Sequence, residues 1–188
     1  MVKKSKFQSI CLSSTSQNKQ VELIASQIYE ILTNIGCMVI HDSSLKRYSK
    51  TLKSQYRNDF YVLKNADLII AIGGDGTILN CSRKYGSKEL PILGINLGKL
   101  GFLTDIPPKK ITSELLDVIQ GKYTSDSRFF IETKINKSKS HLALNEVVVH
   151  SGAIAQLIEF DLFINDNFVY RQKADGLIIS TRINSKNA

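Results

Sequence analysis

Long apolar runs are absent from this sequence, since none approaches the ~20 residues that a membrane-spanning helix requires. A secretory signal is not indicated either, because the apolar stretch after the basic start is short and is interrupted by Gln8 and Ser9. With 43% hydrophobic residues over 188 positions, the composition is typical of a soluble globular protein with one large or two small domains. We therefore expect a cytoplasmic protein that does not act at a membrane.

Cysteine is scarce and widely spaced. Cys11, Cys37 and Cys81 form no Cys-x-x-Cys pair, and their odd number argues against a disulfide framework. We expect them to be small, buried hydrophobic residues of a reducing compartment. The three histidines also lack the spacing of metal ligands, so no metal site formed by side chains is predicted.

Basic residues outnumber acidic ones, and the formal net charge is +8. Such a charge would suit a nucleic-acid-binding protein. The lysines are scattered, however, and no basic run is interleaved with aromatic residues. Positive surface potential also attracts anionic nucleotides. A generic lysine-rich surface explains the charge, so we expect no nucleic-acid partner.

The first two thirds of the chain alternate apolar strands with amphipathic helices, which predicts a parallel sheet covered by helices. The predicted strands are residues 7–12, 37–40, 67–72 and 91–95, and the predicted helices are 21–35, a segment after Thr77, and 111–119. Residues 42–58 are polar and give no clear prediction. We expect an α/β nucleotide-binding domain over residues 1–122.

The pattern changes near Tyr123, where strand-like segments follow one another without intervening helices. The predicted strands are residues 129–135, 142–149, 158–164, 168–170 and 177–180, with a hairpin turn at 165–167. Such a succession is typical of an antiparallel sheet. We therefore expect an incomplete all-β domain over residues 123–188.

A Gly-Gly-Asp-Gly-Thr turn at residues 73–77 directly follows the predicted strand at 67–72. Its glycines let backbone N–H groups approach a phosphate, and the helix N-terminus behind them adds positive potential. A carboxylate at Asp75 is unfavourable there unless it takes a proton from a hydroxyl or holds a metal ion during phosphoryl transfer.

The same five residues would also suit an ordinary tight turn. A second glycine-rich turn, residues 94–102, follows the next predicted strand and favours the phosphate interpretation. The carboxyl ends of neighbouring parallel strands meet at one edge of the sheet, where open α/β sheets bind ligands.

Four segments together resemble the NAD kinase family, most closely its bacterial members. They are residues 73–77, 94–105, 144–150 and 172–181, in this order. The resemblance implies transfer of a phosphoryl group from ATP, or in some members polyphosphate, to the 2′-hydroxyl of the adenosine ribose of NAD, which makes NADP. It also implies Mg²⁺ or another divalent cation with ATP, and a homo-oligomer. Diacylglycerol and sphingosine kinases share similar glycine-rich turns, so a lipid kinase is the alternative enzyme.

The resemblance assigns roles to residues of the glycine-rich turns. Asp75 matches the family's base, and Gly74 and Gly76 would let it and the phosphates approach one another. Phe102 is placed to stack on adenine, although an isolated aromatic residue is more often part of the core.

The resemblance also assigns NAD-binding residues in the second half. Asn145 and Glu146 match an NAD-binding pair, in which a carboxylate accepts from ribose hydroxyls and an amide pairs with an adenine edge. Asp175 matches a residue near the nicotinamide end, and its alternative role is that of a turn residue. Lys173 stands where many relatives have arginine, which keeps the charge but loses bidentate geometry. The alternative for Glu146 is a charge on a solvated strand face.

The match to the family is lost after Thr181. The family continues Pro-Thr-Gly-Ser-Thr-Ala-Tyr there, whereas this sequence runs from Arg182 to Ala188 and keeps only Ser185. We expect a frameshift or a truncated gene. The alternative to an active kinase is therefore a catalytically defective fragment that retains some nucleotide binding.

Overall fold

The computed structural model describes residues 6–52, 56–98, 101–152 and 156–181. Arg182–Ala188, on which the expected frameshift rests, lie outside the described residues. The chain folds as two compact units, Met1–Asp126 and Ser127–Ala188. The assignment of these units as a nucleotide-binding and an NAD-binding domain stays a prediction.

The first unit is built on a five-stranded parallel sheet with the order β3-β2-β1-β4-β5. Its strands are β1 (Ser9–Ser13), β2 (Met38–Asp42), β3 (Tyr56–Arg57), β4 (Leu68–Ile72) and β5 (Ile92–Ile95). Every residue of β1 and β4 is buried, as expected for parallel strands that are covered on both faces. The predicted parallel sheet is confirmed.

Helices cover both faces of this sheet. They are α1 (Lys19–Asn34), α2 (Ser49–Leu52), α3 (Asp59–Asn65), α4 (Asp75–Tyr85) and α5 (Ile111–Ile119), with 3₁₀ turns at Ser43–Tyr48, Gly86–Lys88 and Pro108–Lys110. Ile10 and Leu12 of β1 pack in one core with α1 and α5, while Cys11 packs in a second core with α3 and α4. The unit therefore has three layers. Among the helices that the structure describes, none has the length and apolarity to cross a bilayer.

Two predicted helix starts are wrong by a few residues. Helix α1 begins at Lys19 rather than at residue 21, because Asn18 takes the N-cap position, where its Oδ1 accepts from the Val21 N–H at 3.0 Å. Helix α4 begins at Asp75 rather than after Thr77, because Gly74 takes the N-cap position. Asp75 is thus the first residue of a helix.

The predicted burial of the cysteines is confirmed, since Cys11, Cys37 and Cys81 are all buried and free. Burial raises the pKa of Cys81 to about 11 and also raises the pKa of Cys11. These two thiols therefore stay protonated near neutral pH, and they fill space as small apolar side chains do.

The described residues of the second unit form three antiparallel strand pairs. These are β6 (Ile131–Thr133) with β7 (His141–Ala143), β8 (Glu146–His150) with β11 (Gly176–Ser180), and β9 (Ile158–Ile164) with β10 (Asn167–Ala174). The β9–β10 hairpin turns through Asn165 and Asp166, whose φ values of 49° and 64° are those of a type I′ turn. The predicted antiparallel class is confirmed.

The strand predicted over residues 142–149 is wrong as a single element, because it is interrupted at Leu144 and Asn145. The Thr181 hydroxyl donates to the carbonyl of Leu144 at 2.9 Å and to that of Asn145 at 3.2 Å. The two carbonyls therefore accept from Thr181, which is 36 or 37 positions further along the chain. The chain bends at this point, between β7 and β8.

A buried carboxylate joins α4 to the ends of β1 and β2. Asp42 is fully buried and accepts from Ser13 Oγ at 2.7 Å and from the Tyr85 hydroxyl at 2.9 Å. Lys84 Nζ lies 3.6 Å from Asp42 and 3.4 Å from Asp59. Burial opposes the charge of Lys84, but the two carboxylates together raise its pKa above the ordinary value. The two hydroxyl donors and the Lys84 ammonium group together compensate the buried Asp42 carboxylate for the loss of its water.

We expect Tyr85→Phe to lower the free energy of unfolding by about 1–3 kcal/mol, since it removes one donor from the buried Asp42. Urea denaturation measures this change. Tyr29→Phe is the control, because Tyr29 packs against the other core and its loss should cost less than about 0.5 kcal/mol. Equal losses for the two variants would show that the bond to Asp42 does not stabilise the fold.

Candidate active site

The strand order places a crevice at the carboxyl edge of the parallel sheet. From β1 the chain moves to β2 and β3 on one side, whereas β4 and β5 lie on the other. The loops after β1 and β4 therefore adjoin at the point where the order reverses, which is where open α/β sheets bind ligands.

Hydroxyl groups tie the loop after β1 to the loop after β4. Ser14 Oγ donates to the Ile72 carbonyl at 2.6 Å, and Thr15 Oγ1 lies 2.7 Å from Thr77 Oγ1. Gly73 is needed here, because a Cβ at its position would lie 2.1 Å from Thr77 Oγ1. Sequence reasoning missed the roles of Ser14 and Thr15, since only the strand order brings β1 beside β4.

The N-terminus of α4 opens toward this crevice. Its N-cap, Gly74, has no side chain that could accept from the first-turn N–H groups. A Cβ at Gly74 or Gly76 would meet no atom within 4 Å, so internal packing does not demand glycine at these two positions. The Gly74 carbonyl accepts from the Thr77 N–H at 2.9 Å, so the Asp75 and Gly76 N–H groups are the first-turn donors that suit an anionic oxygen of phosphate.

Asp75 joins the two glycine-rich loops. Its Oδ2 accepts from the Phe102 N–H at 2.9 Å, and its Oδ1 accepts from the Leu103 N–H at 3.0 Å. The carboxylate is partly exposed and keeps unused lone pairs for a further donor. The structure thus brings Asp75 and the second loop together, as the sequence predicted for two turns at one sheet edge.

The Phe102 ring is 85% exposed, so the alternative that it belongs to the core is wrong. An exposed aromatic ring next to a partly exposed carboxylate offers a flat apolar surface to a ligand. Its predicted stacking on adenine stays a prediction.

In the second unit, Asn145 and Glu146 lie side by side, with Asn145 Nδ2 3.4 Å from Glu146 Oε2. The Asn145 carbonyl accepts from the Thr181 N–H at 2.8 Å, which fixes the start of β8 against the end of β11. Glu146 is exposed, which the alternative of a charge on a solvated strand face also predicts. Its carboxylate is therefore accessible to a ligand.

Lys173 and Asp175 lie elsewhere in the second unit. Lys173 is exposed on β10 opposite Glu159 of β9, and Asp175 lies between β10 and β11. Residue 176 pairs with His150, whereas Ser180 pairs with Glu146. Asp175 is therefore near the far end of the β8–β11 ribbon, roughly 14 Å from Glu146 at ~3.4 Å per residue.

Within the ranges that the structure describes, no group of three or more His, Cys, Asp or Glu side chains is arranged to hold a metal ion. Mg²⁺ commonly binds through substrate phosphates and only one or two carboxylates, so a phosphoryl-transfer site does not require such a group.

Two family models match the chain, each in the expected half. The model of the ATP-NAD kinase N-terminal domain matches residues 10–123. The model of the ATP-NAD kinase C-terminal domain matches residues 144–187, so the match extends past Thr181, where it was expected to be lost.

Individual relatives agree with the family models. The NAD kinase of Saccharophagus degradans is 48% identical over 122 residues, which are 63% of this chain and 42% of that protein. The NAD kinase of Tolumonas auensis is 36% identical over 180 residues, which are 93% of this chain and 61% of the relative. The NAD kinase of Alcanivorax borkumensis is 34% identical over 185 residues, which are 96% of this chain and 62% of the relative.

Solved structures of similar fold include yeast NADH kinase complexed with NADH, with a TM-score of 0.78 and 21% identity over 94% of this chain and 60% of that chain. An NAD kinase from Archaeoglobus fulgidus in complex with ATP has a TM-score of 0.67 and 26% identity, and the match covers 92% of this chain and 60% of that chain. The present chain spans less than two thirds of the length of each of these relatives and structures.

Proposed function

The chain belongs to the NAD kinase family, and on that basis we propose that the complete protein transfers the terminal phosphoryl group of ATP to the 2′-hydroxyl of the adenosine ribose of NAD. The observation that carries the proposal is the carboxylate of Asp75, held beside the open N-terminus of α4 by two backbone amides. A base next to an anion-binding turn is what phosphoryl transfer to a hydroxyl requires.

In this reaction the 2′-hydroxyl of the ribose donates its proton to the Asp75 carboxylate as its oxygen bonds to the γ-phosphorus. The bond between the γ-phosphorus and the oxygen bridging to the β-phosphate breaks, and ADP leaves with that oxygen. Gly74 and Gly76 leave room for the phosphates, and the Asp75 and Gly76 N–H groups at the start of α4 would stabilise the developing charge. The cation enters as part of the MgATP substrate and neutralises phosphate oxygens.

We assign NAD binding to exposed or partly exposed polar residues of the second unit and, separately, to Phe102 of the first unit. Asn145 and Glu146 would hold the adenosine part through hydrogen bonds, while Asp175 and Lys173 would contact the remainder of the dinucleotide. The separation of Asp175 from Glu146 along the β8–β11 ribbon supports contacts with different parts of an extended ligand. Phe102 offers its exposed ring to adenine.

The substrate class is tested by an acceptor competition with the complete purified protein, MgATP or polyphosphate as donor, and NAD, NADH or diacylglycerol as acceptor. We expect NADP from NAD. Phosphatidate without NADP would establish the lipid-kinase alternative. Binding of NAD and ATP without any turnover by the 188-residue chain itself, assayed beside the complete protein, would establish the alternative of a defective, nucleotide-binding fragment.

We expect Glu146→Gln to raise the KM for NAD about tenfold, because a hydrogen bond to a charged acceptor is stronger than one to an amide. The kcat and the KM for ATP should each change by less than about threefold, since they do not depend on the ribose contact. Steady-state kinetics with varied NAD measure this effect. Glu132→Gln is the matched control, because Glu132 is an exposed glutamate in the same unit. A KM for NAD that stays unchanged in Glu146→Gln would remove Glu146 from the binding site.

A further inference from the structure

We propose that Thr104 is a positioning residue. Its buried hydroxyl fixes the second glycine-rich loop so that the Phe102 and Leu103 N–H groups donate hydrogen bonds to the Asp75 carboxylate. As a statement about catalysis, the inference rests on the proposed function. As a statement about the loop, it stands on the geometry alone.

The first observation is a buried polar pair inside the loop. Thr104 Oγ1 accepts from Asn96 Nδ2 at 3.1 Å and from the Gly101 N–H at 3.1 Å. Asn96 and Thr104 are only 3% and 4% exposed. In such a desolvated position a hydroxyl that satisfies two donors is costly to remove, because both donors would lose their acceptor.

The second observation is that this pair is anchored to the parallel sheet. Asn96 directly follows β5, and its N–H donates to the Ile106 carbonyl at 2.9 Å. Ile106 in turn forms a parallel bridge with Ile95 of β5. Asn96 Oδ1 also accepts from the Gly98 N–H at 2.7 Å. The Asn96 side chain is therefore fixed at the sheet edge, and its hydrogen bond to Thr104 Oγ1 fixes the Thr104 hydroxyl there as well.

The third observation connects Thr104 to the base. Between the Gly101 N–H, which Thr104 holds, and Thr104 itself lie only Phe102 and Leu103, whose N–H groups donate to Asp75 at 2.9 and 3.0 Å. Fixing both ends of this short segment fixes the direction of its amides. A carboxylate has about four acceptor positions, so about two remain on Asp75 for an incoming hydroxyl once the two amides are bound.

A simpler explanation is that Thr104 only fills space, in which case its methyl group and not its hydroxyl would matter. Thr104→Val keeps the β-branched shape and removes the hydroxyl, whereas Thr104→Ser keeps the hydroxyl and removes the methyl. The two variants therefore separate positioning from packing.

Residue-resolved amide hydrogen exchange on the complete protein reads the loop directly. In Thr104→Val we expect the Phe102 and Leu103 amides to exchange at least about tenfold faster. The loss of the buried hydrogen bonds lowers the free energy of opening the loop, and exchange occurs from the open state. In Thr104→Ser they should exchange as in the parent protein. Exchange that is unchanged in Thr104→Val, or equally fast in both variants, would overturn the proposal.

Kinetics add the catalytic readout. In Thr104→Val we expect kcat to fall about tenfold to hundredfold, with the KM for ATP within about twofold, and Thr104→Ser should restore kcat. A parent protein that makes no NADP would refute the proposed function, while the exchange experiment would still decide the role of Thr104. If Thr104→Val does not fold, Thr104→Ala, which also lacks the hydroxyl, takes its place in both experiments.

Discussion

Replacing Asp75 by asparagine is expected to lower kcat for NADP formation by about 10²–10⁴-fold, which is the usual contribution of a positioned general base. The amide keeps the size of the carboxylate and one acceptor oxygen, but it cannot take the proton of the ribose hydroxyl. Affinity for NAD should change much less than kcat, because the base acts mainly in the transition state. Steady-state kinetics with varied NAD and fixed MgATP separate the two quantities.

Asp105→Asn is the matched control for this variant. Asp105 lies in the same glycine-rich segment, and its Oδ2 accepts from the Gly94 N–H at 3.1 Å rather than from the amides that hold Asp75. Its kcat should stay within about threefold of the parent value. A kcat for Asp75→Asn that matches the control would assign the proton transfer to another group and leave Asp75 a residue of the turn that only ties it to the second loop.

Alanine at Gly101 is expected to lower kcat/KM by about 10²-fold, because catalysis is sensitive to displacements near 1 Å. A Cβ at this position would lie 2.1 Å from Asp75 Oδ1 and 2.7 Å from Asp75 Cγ. Either the carboxylate or the loop must therefore move. The stability of the fold should change little by comparison, since the Asp75 side chain is partly exposed.

Gly98→Ala provides the control for Gly101→Ala. Gly98 belongs to the same loop, but a Cβ there would meet no atom of the described residues within 4 Å. Parallel measurements of kcat/KM and of urea unfolding should show a loss of activity for Gly101→Ala alone, with similar unfolding free energies for both. A fully active Gly101→Ala variant would show that close contact between the second loop and Asp75 is not needed for turnover.

The parts of the fold that follow from local sequence were predictable. Continuous apolar runs identified β1 and β4, because strands that are buried on both faces have few polar residues. Helical periodicity identified α1 and α5, because a helix that is buried on one face carries apolar residues every three or four positions. The Asn165–Asp166 turn was also predictable, since these residue types tolerate the positive φ that a type I′ turn requires.

The parts that depend on distant partners were not predictable. The bend at Leu144 and Asn145 depends on the Thr181 hydroxyl, and the fixing of Asp75 depends on amides 27 and 28 positions away. The contact between Thr15 and Thr77 requires β1 and β4 to be neighbours, which no local pattern specifies. Sequence therefore predicted the presence of Asp75 in the site, while tertiary contacts determine how it is held.

The central claim is that Asp75 assists transfer of a phosphoryl group to the ribose of NAD, and label transfer tests it most directly. The complete protein is incubated with NAD and Mg²⁺ and with ATP labelled at the γ-phosphate, and the label in the 2′-phosphate of NADP is counted. We predict label at this position with the parent protein and at least about 10²-fold slower labelling with Asp75→Asn. Absence of label from NADP while the folded protein binds both substrates, or equal labelling by the two proteins, would contradict the account.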